Sequence, residues 1–201
     1  MLFKSNSLTN FGSRILILSA FLFLSFIHGN FQSRLSDAAI FLTKTYVRYD
    51  PAYVVIKYPN GDVPANRGVC TDVVIRAYRK LGIDLQQRVH EDMLRNFKKY
   101  PRNWGLPAPD PNIDHRRVPN LMVFFSRFGR VLRISKDPRD FKPGEIVTWD
   151  LGKGLTHIGL VVNKRSADGR RFLIVHNIGG GQELSDCLFS YRIIGHYSYG
   201  A

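Results

Sequence analysis

Apolar residues recur along this chain with two different periods. In FQSRLSDAAIFLTKTYVRYD, residues 31–50, Leu35, Ala38, Ala39, Phe41 and Leu42 form a rough helical stripe. In GVCTDVVIRAYRKLGIDL, residues 68–85, Val73, Val74, Ala77, Tyr78 and Leu81 share one face, and Arg76, Arg79 and Lys80 take the other. Gly82 follows where a C-cap glycine belongs, which predicts a helix over 70–81. Val89, Met93 and Phe97, spaced by four, predict a second over 85–100. Between these, YVVIKY at 53–58 reads as a short strand and YPNGDVP as a turn.

The second half changes character. Residues 101–120 are rich in proline and polar side chains, too long for an idle connector. VPNLMVFFSRFG fits helix or strand equally. FKPGEIVTWDL, residues 141–151, reads as a turn and then a strand. THIGLVVNK and RRFLIVHNI are two strands joined by RSADGR, whose Asp168-Gly169 favours a hairpin. YRIIGHYSY closes the chain as a last strand. Helices first and an antiparallel meander afterwards predict an α+β fold, with N-terminal helices packed on an antiparallel sheet.

Composition adds one domain and one address. The 201 residues suffice for a single core; 44% are hydrophobic and 22% charged, with no repeat or low-complexity run. Lys4 and Arg14 precede the apolar run ILILSAFLFLSFI, the plan of a secretory signal, and the run is short for a membrane span. FIHGNFQS lacks a clean A-x-A, so cleavage near Gly29 and retention as a membrane anchor both stay open. The organisation is then a signal or anchor over 1–30 and one domain over 31–201. Removing Lys4 and Arg14 takes the net charge from +13 to +11, so the exported domain stays basic. A basic protein seeks an anionic partner. Export to the periplasm or cell envelope points to the wall or the anionic membrane face and away from nucleic acid.

Cys70 is one of two cysteines and opens the 70–81 helix. Helix N-terminal N–H groups stabilise a thiolate, which predicts a lowered thiol pKa and a nucleophile. A nucleophile of this kind needs a base. His157 starts one hairpin strand and His176 ends the next, so His157 is the candidate base and His176 the group that orients it. Asn177, on the opposite face of its strand, is the fallback orienter. The alternatives are a Cys70–Cys187 disulfide, a common fate of paired cysteines in exported proteins, and a buried structural thiol. Cys187 otherwise reads as a small buried residue.

GVCTDVVIRAYRKLGIDL resembles the nucleophile helix of the NlpC/P60 papain-like cysteine peptidases. FKPGEIVTWDL resembles their Pro-Gly-Asp strand, THIGLVV their His-Val-Gly strand, and LIVHN the strand of the third polar residue, all in the family's order. More narrowly, CTDVVIRAY, DPNIDHRRVPNL, HIGLVV and IIGHYSY resemble an uncharacterised family of exported bacterial proteins, domain of unknown function 1287, grouped with that superfamily. The resemblance implies a papain-like fold, Cys70 as nucleophile, His157 as base, His176 as third polar residue, and murein peptides as substrate. It departs at Val69-Cys70-Thr71-Asp72, where the usual aspartate before the cysteine is missing and Asp72 stands two positions after it. The segment 85–136 is a longer insertion than usual.

Within that insertion Asp114, His115, Arg116 and Arg117 are either an ion-paired loop or a substrate wall whose arginines engage carboxylates. Trp104 is a core anchor or a stacking platform. His90-Glu91-Asp92 reads as a helix surface, because no H-E-x-x-H or paired C-x-x-C accompanies it. Gly179-Gly180-Gly181 lacks the lysine and helix of a phosphate loop and reads as a turn beside the site. No metal or cofactor is expected. The expected activity is an exported cysteine amidase or endopeptidase acting on peptidoglycan through a thioester. The rivals are a non-catalytic wall-binding protein, a cysteine acyltransferase, and a zinc amidase built from His90, His115, His157 or His176.

Overall fold

The computed structural model describes residues 30–200; the expected export segment, with Lys4 and Arg14, lies outside the described residues. Among the described residues no helix is long and apolar enough to cross a membrane. The fold is α+β, and the described residues form four helices, α1 (Phe31–Leu42), α2 (Cys70–Arg79), α3 (Leu85–Asn96) and α4 (Val118–Phe128), and eight strands. β1 (Arg48–Tyr49) and β2 (Arg67–Gly68) form a small parallel pair. The remaining six are β3 (Arg130–Val131), β4 (Ile146–Gly152), β5 (Leu155–Arg165), β6 (Phe172–Asn177), β7 (Gln182–Ser185) and β8 (Arg192–Ser198). They form one sheet in the order β3-β8-β4-β5-β6-β7, antiparallel throughout.

Every residue from His157 to Val162 of β5 is buried, because both faces of the sheet are covered. On one face Ile158, Leu160, Val162 and Val175 pack against Leu35, Val73, Val74, Tyr78, Leu121 and Phe125 of the helices. On the other, Val147, Trp149, Val161 and Ile174 pack against Phe141 and Leu188. α1 comes close enough to the sheet that a Cβ on Gly144 (φ +86°) would lie 2.2 Å from the Gln32 carbonyl oxygen, so only glycine fits there.

Several expectations need correction. YVVIKY is not a strand: Val55 is 79% exposed, and the segment finds no strand partner. Side chains of a neighbouring loop hold it instead, with Asn112 accepting from the Ile56 N–H and Asp110 accepting from the Tyr53 hydroxyl. The helix expected over 85–100 ends at Asn96 and continues as one 3-10 turn. It is capped by Asp84, which accepts from the Gln86 N–H. Arg76 is not on a solvent face; it is buried and binds Asp62 and the carbonyls of Val63, Pro64 and Arg67. VPNLMVFFSRFG resolves to a helix, started by Pro119 in its first turn. β7 was not foreseen, since QELS has too few apolar residues to signal a strand.

The segment 85–136 belongs to the core rather than hanging from it. α3 and α4 contribute Leu85, Val89, Met93, Leu121, Phe124 and Phe125 to the helical-face cluster. His90 and Asp92 point inward, not to a helix surface: His90 Nδ1 lies 2.9 Å from Asp114, and Asp92 accepts from Tyr100 and Arg127.

Candidate active site

The site forms where β5 and β6 part. Val161 N–H donates to Glu145 on the β4 side, and amides alternate sides along a strand, so Leu160 and Ile158 turn theirs toward β6. The β5–β6 ladder ends at Leu160–Val175. Beyond that pair the start of α2 takes the partner's place. Ile158 N–H faces the Cys70 sulfur, as do the N–H groups of Cys70 and Thr71. Asn177 Nδ2 donates to the Gly68 carbonyl at 3.2 Å. Asn177 therefore ties β6 to the residues before Cys70 and does not meet His157.

His176 meets it. The Nε2 of His157 and the Nδ1 of His176 are 2.9 Å apart and buried, with the rings edge to face. Both side chains follow the alternation to the face opposite the helices, where the Trp149 ring packs 5.7 Å from His157. Cys70 lies on the helical face. Sulfur and imidazole thus approach the His157–Ile158 peptide unit from two sides. No hydrogen bond joins them among the described residues, and His157 Nδ1 is left without a partner there.

Burial dominates the electrostatics. It pushes the Cys70 thiol up to about 12, against the pull of the surrounding N–H groups, and nearby Asp72 adds to the rise. This reverses the expected lowering: the N–H groups of one helix turn do not offset removal of a thiolate from water. Burial also pulls His157 down to about 3, with a smaller contribution from His176, and His176 down to about 4. The resting pair is a neutral thiol and neutral imidazoles. Both cysteines are free, so the expected alternative of a Cys70–Cys187 bridge is not formed.

Asp72 braces the helix that Cys70 opens. At the third position of α2 it accepts from the Val69 N–H at 2.7 Å, which caps the helix. It also receives Arg116 in a two-pronged pair at 2.9 and 3.0 Å, with both side chains buried. The cluster 114–117 is split by this arrangement. Asp114 is wholly buried beside His90, and His115 is buried and pulled down to about 3. Arg116 and Arg117 line a groove of about 420 Å³ together with Cys70, Tyr49, Tyr53, Trp104 and Leu155. Arg117 stacks over Trp104 at 4.0 Å.

Sequence reasoning missed Ser185 and the position of Cys187. Ser185 Oγ lies 2.6 Å, and Cys187 Sγ 3.5 Å, from His176 Nε2. No motif marks them; the pairing of β7 with β6 places them.

The chain's relatives assign this site no chemistry. It is 50% identical over 173 residues to the uncharacterized protein YijF of Escherichia coli (strain K12), covering 86% of this chain and 84% of that one. No solved structure matches. The profile of domain of unknown function 1287 matches residues 36–199, which hold every candidate residue of the site, and the chain belongs to that family.

Proposed function

We propose that the protein is an exported cysteine hydrolase that cleaves amide bonds in peptidoglycan peptides on a papain-like scaffold of the NlpC/P60 kind. The observation that carries this reading is the seat of Cys70. It stands at a helix start in the fork of two strands, facing the N–H of Ile158, the residue after His157, whose Nε2 is held by His176. In the proposed reaction Cys70 gives its proton to His157 Nδ1 and its sulfur attacks the amide carbonyl. Resting cysteine–histidine contacts are commonly long and close with substrate in place. N–H groups at the start of α2 hold the oxyanion. His157 returns the proton to the leaving amine, and water hydrolyses the thioester. An amine in place of water would make the same site an acyltransferase.

The groove supports an acidic peptide as substrate. Arg117 is in it, stacked on an aromatic ring, and makes no ion pair among the described residues. Murein peptides carry free carboxylates of the kind it would bind.

A second reading has its own observation. The sulfur within hydrogen-bond reach of a histidine is Cys187, 3.5 Å from His176. Cys187 would then be the nucleophile and His176 its base. Against it, Cys187 does not open a helix, and the groove is lined by Cys70. Digestion of purified murein by the Cys70→Ala and Cys187→Ala proteins separates the two. We expect turnover to vanish in the first, with its fold unchanged by circular dichroism, and to persist in the second. Full activity of Cys70→Ala overturns the mechanism. Saturable binding without turnover by the unaltered protein would identify a wall-binding protein instead.

A further inference from the structure

The hydrogen bond between His157 and His176 can run in two directions, and only one leaves a base for Cys70. If His157 Nε2–H donates, its Nδ1 is the free lone pair. If His176 Nδ1–H donates, His157 carries its proton on Nδ1 and cannot accept another there. Which holds is decided at the far nitrogen of His176, because a neutral imidazole has one proton.

Three acceptors surround that nitrogen. Ser185 Oγ is at 2.6 Å, Cys187 Sγ at 3.5 Å and a Glu183 carboxylate oxygen at 3.8 Å. A carboxylate can only accept, and a hydroxyl oxygen accepts readily while its own proton rotates elsewhere. The carboxylate of Glu183 favours a proton at the same place.

We propose that Ser185, with Cys187 and Glu183 behind it, is a positioning residue that fixes His176 as the Nε2–H tautomer and so leaves Nδ1 of His157 as the basic nitrogen. The inference rests on the reading of His157 as base, and it assigns a task to residues that touch neither substrate nor Cys70. Burial keeps both histidines neutral near pH 7, so the tautomer is a defined quantity there.

Nitrogen-15 NMR of the full-length histidine-labelled protein reads the tautomers without any substrate. The expected spectrum has pyrrole-type Nε2 and pyridine-type Nδ1 on both His157 and His176. Ser185→Ala should move the two His176 nitrogens toward each other, and Ser185→Thr should restore them. In the murein assay Ser185→Ala should lower kcat about five- to tenfold, the range of one neutral hydrogen bond, with KM little changed. A pyrrole-type Nδ1 on His176 in the unaltered protein overturns the inference, as does an unmoved spectrum in Ser185→Ala. Should Ser185→Ala fail to fold, Glu183→Gln removes the carboxylate that favours the Nε2 proton and should shift the same signals partway; no shift there counts against the proposal. Turnover that survives Cys70→Ala would sink the proposed reaction while leaving these spectra as expected, so the two failures are distinguishable.

Discussion

At Cys70 two effects oppose each other on one thiol, and the larger was not visible in the sequence. A helix start favours the thiolate, but the first turn of α2 is buried against Ile158 and the thiol is pushed up to about 12. The same burial acts on three histidines. His115 and His157 are pulled down to about 3, and His176 to about 4, from 6.5. Unfolded chains protonate these rings below about pH 6.5 while the folded protein does not. The unfolded state then binds more protons, so stability must fall as pH drops from about 6.5 toward 4. Each ring contributes up to about 1.4 kcal/mol per pH unit. Urea midpoints measured between pH 7 and 4.5 should show this acid limb, and a flat profile would contradict the buried, neutral assignment. Asp72 carries a second prediction. Asp72→Asn leaves the buried Arg116 guanidinium without its carboxylate and removes the charged acceptor of the Val69 N–H, so unfolding free energy should fall by about 3–5 kcal/mol. A loss below about 1 kcal/mol would mean that water, not Asp72, holds Arg116.

At the scale of elements, the long periodic segments were legible and the unpaired ones were not. The 3.6-residue stripe after Cys70 and the continuous apolar runs around His157 and His176 correspond to α2, β5 and β6. Their mutual register could not be read from spacing, and neither could the close approach of β6 to β5 at Gly159. A Cβ there would stand 2.6 Å from Ile174 Cγ2 and 3.2 Å from His176 Cβ. Glycine lets β6 lie close enough for the two histidine rings to meet. Gly159→Ala should therefore cost about 1–3 kcal/mol by overpacking and lengthen the His157–His176 contact. Unchanged thermal stability together with an unchanged histidine spectrum would show that the sheet absorbs the methyl group elsewhere. YVVIKY misled for the opposite reason. Its β-branched residues suit a strand, yet the acceptors near it are the Asn112 and Asp110 side chains, which a local pattern cannot show.

Across the whole molecule, the segment 85–136 does two things at once. Its helices complete the core, and the loop between them supplies Trp104 and Arg117 to the groove beside Cys70. Sequence spacing located the cluster 114–117 but could not tell the buried Asp114 and His115 from Arg117 in the groove, nor show that Arg116 lines the groove while paired with buried Asp72. Arg117→Gln should raise KM for a carboxylate-bearing peptide about ten- to a hundredfold, the worth of one charge-assisted hydrogen bond, and leave a carboxamide analogue little affected. Equal losses on both peptides would remove Arg117 from recognition. The central claim is that Cys70 carries the acyl group. The measurement that tests it most directly is rapid acid quenching of the protein during murein turnover, followed by peptide mapping in the mass spectrometer. The account predicts an acyl thioester on the peptide containing Cys70, absent when His157 is replaced. An adduct on Cys187, or turnover with no adduct on either cysteine under any quench time, would contradict it.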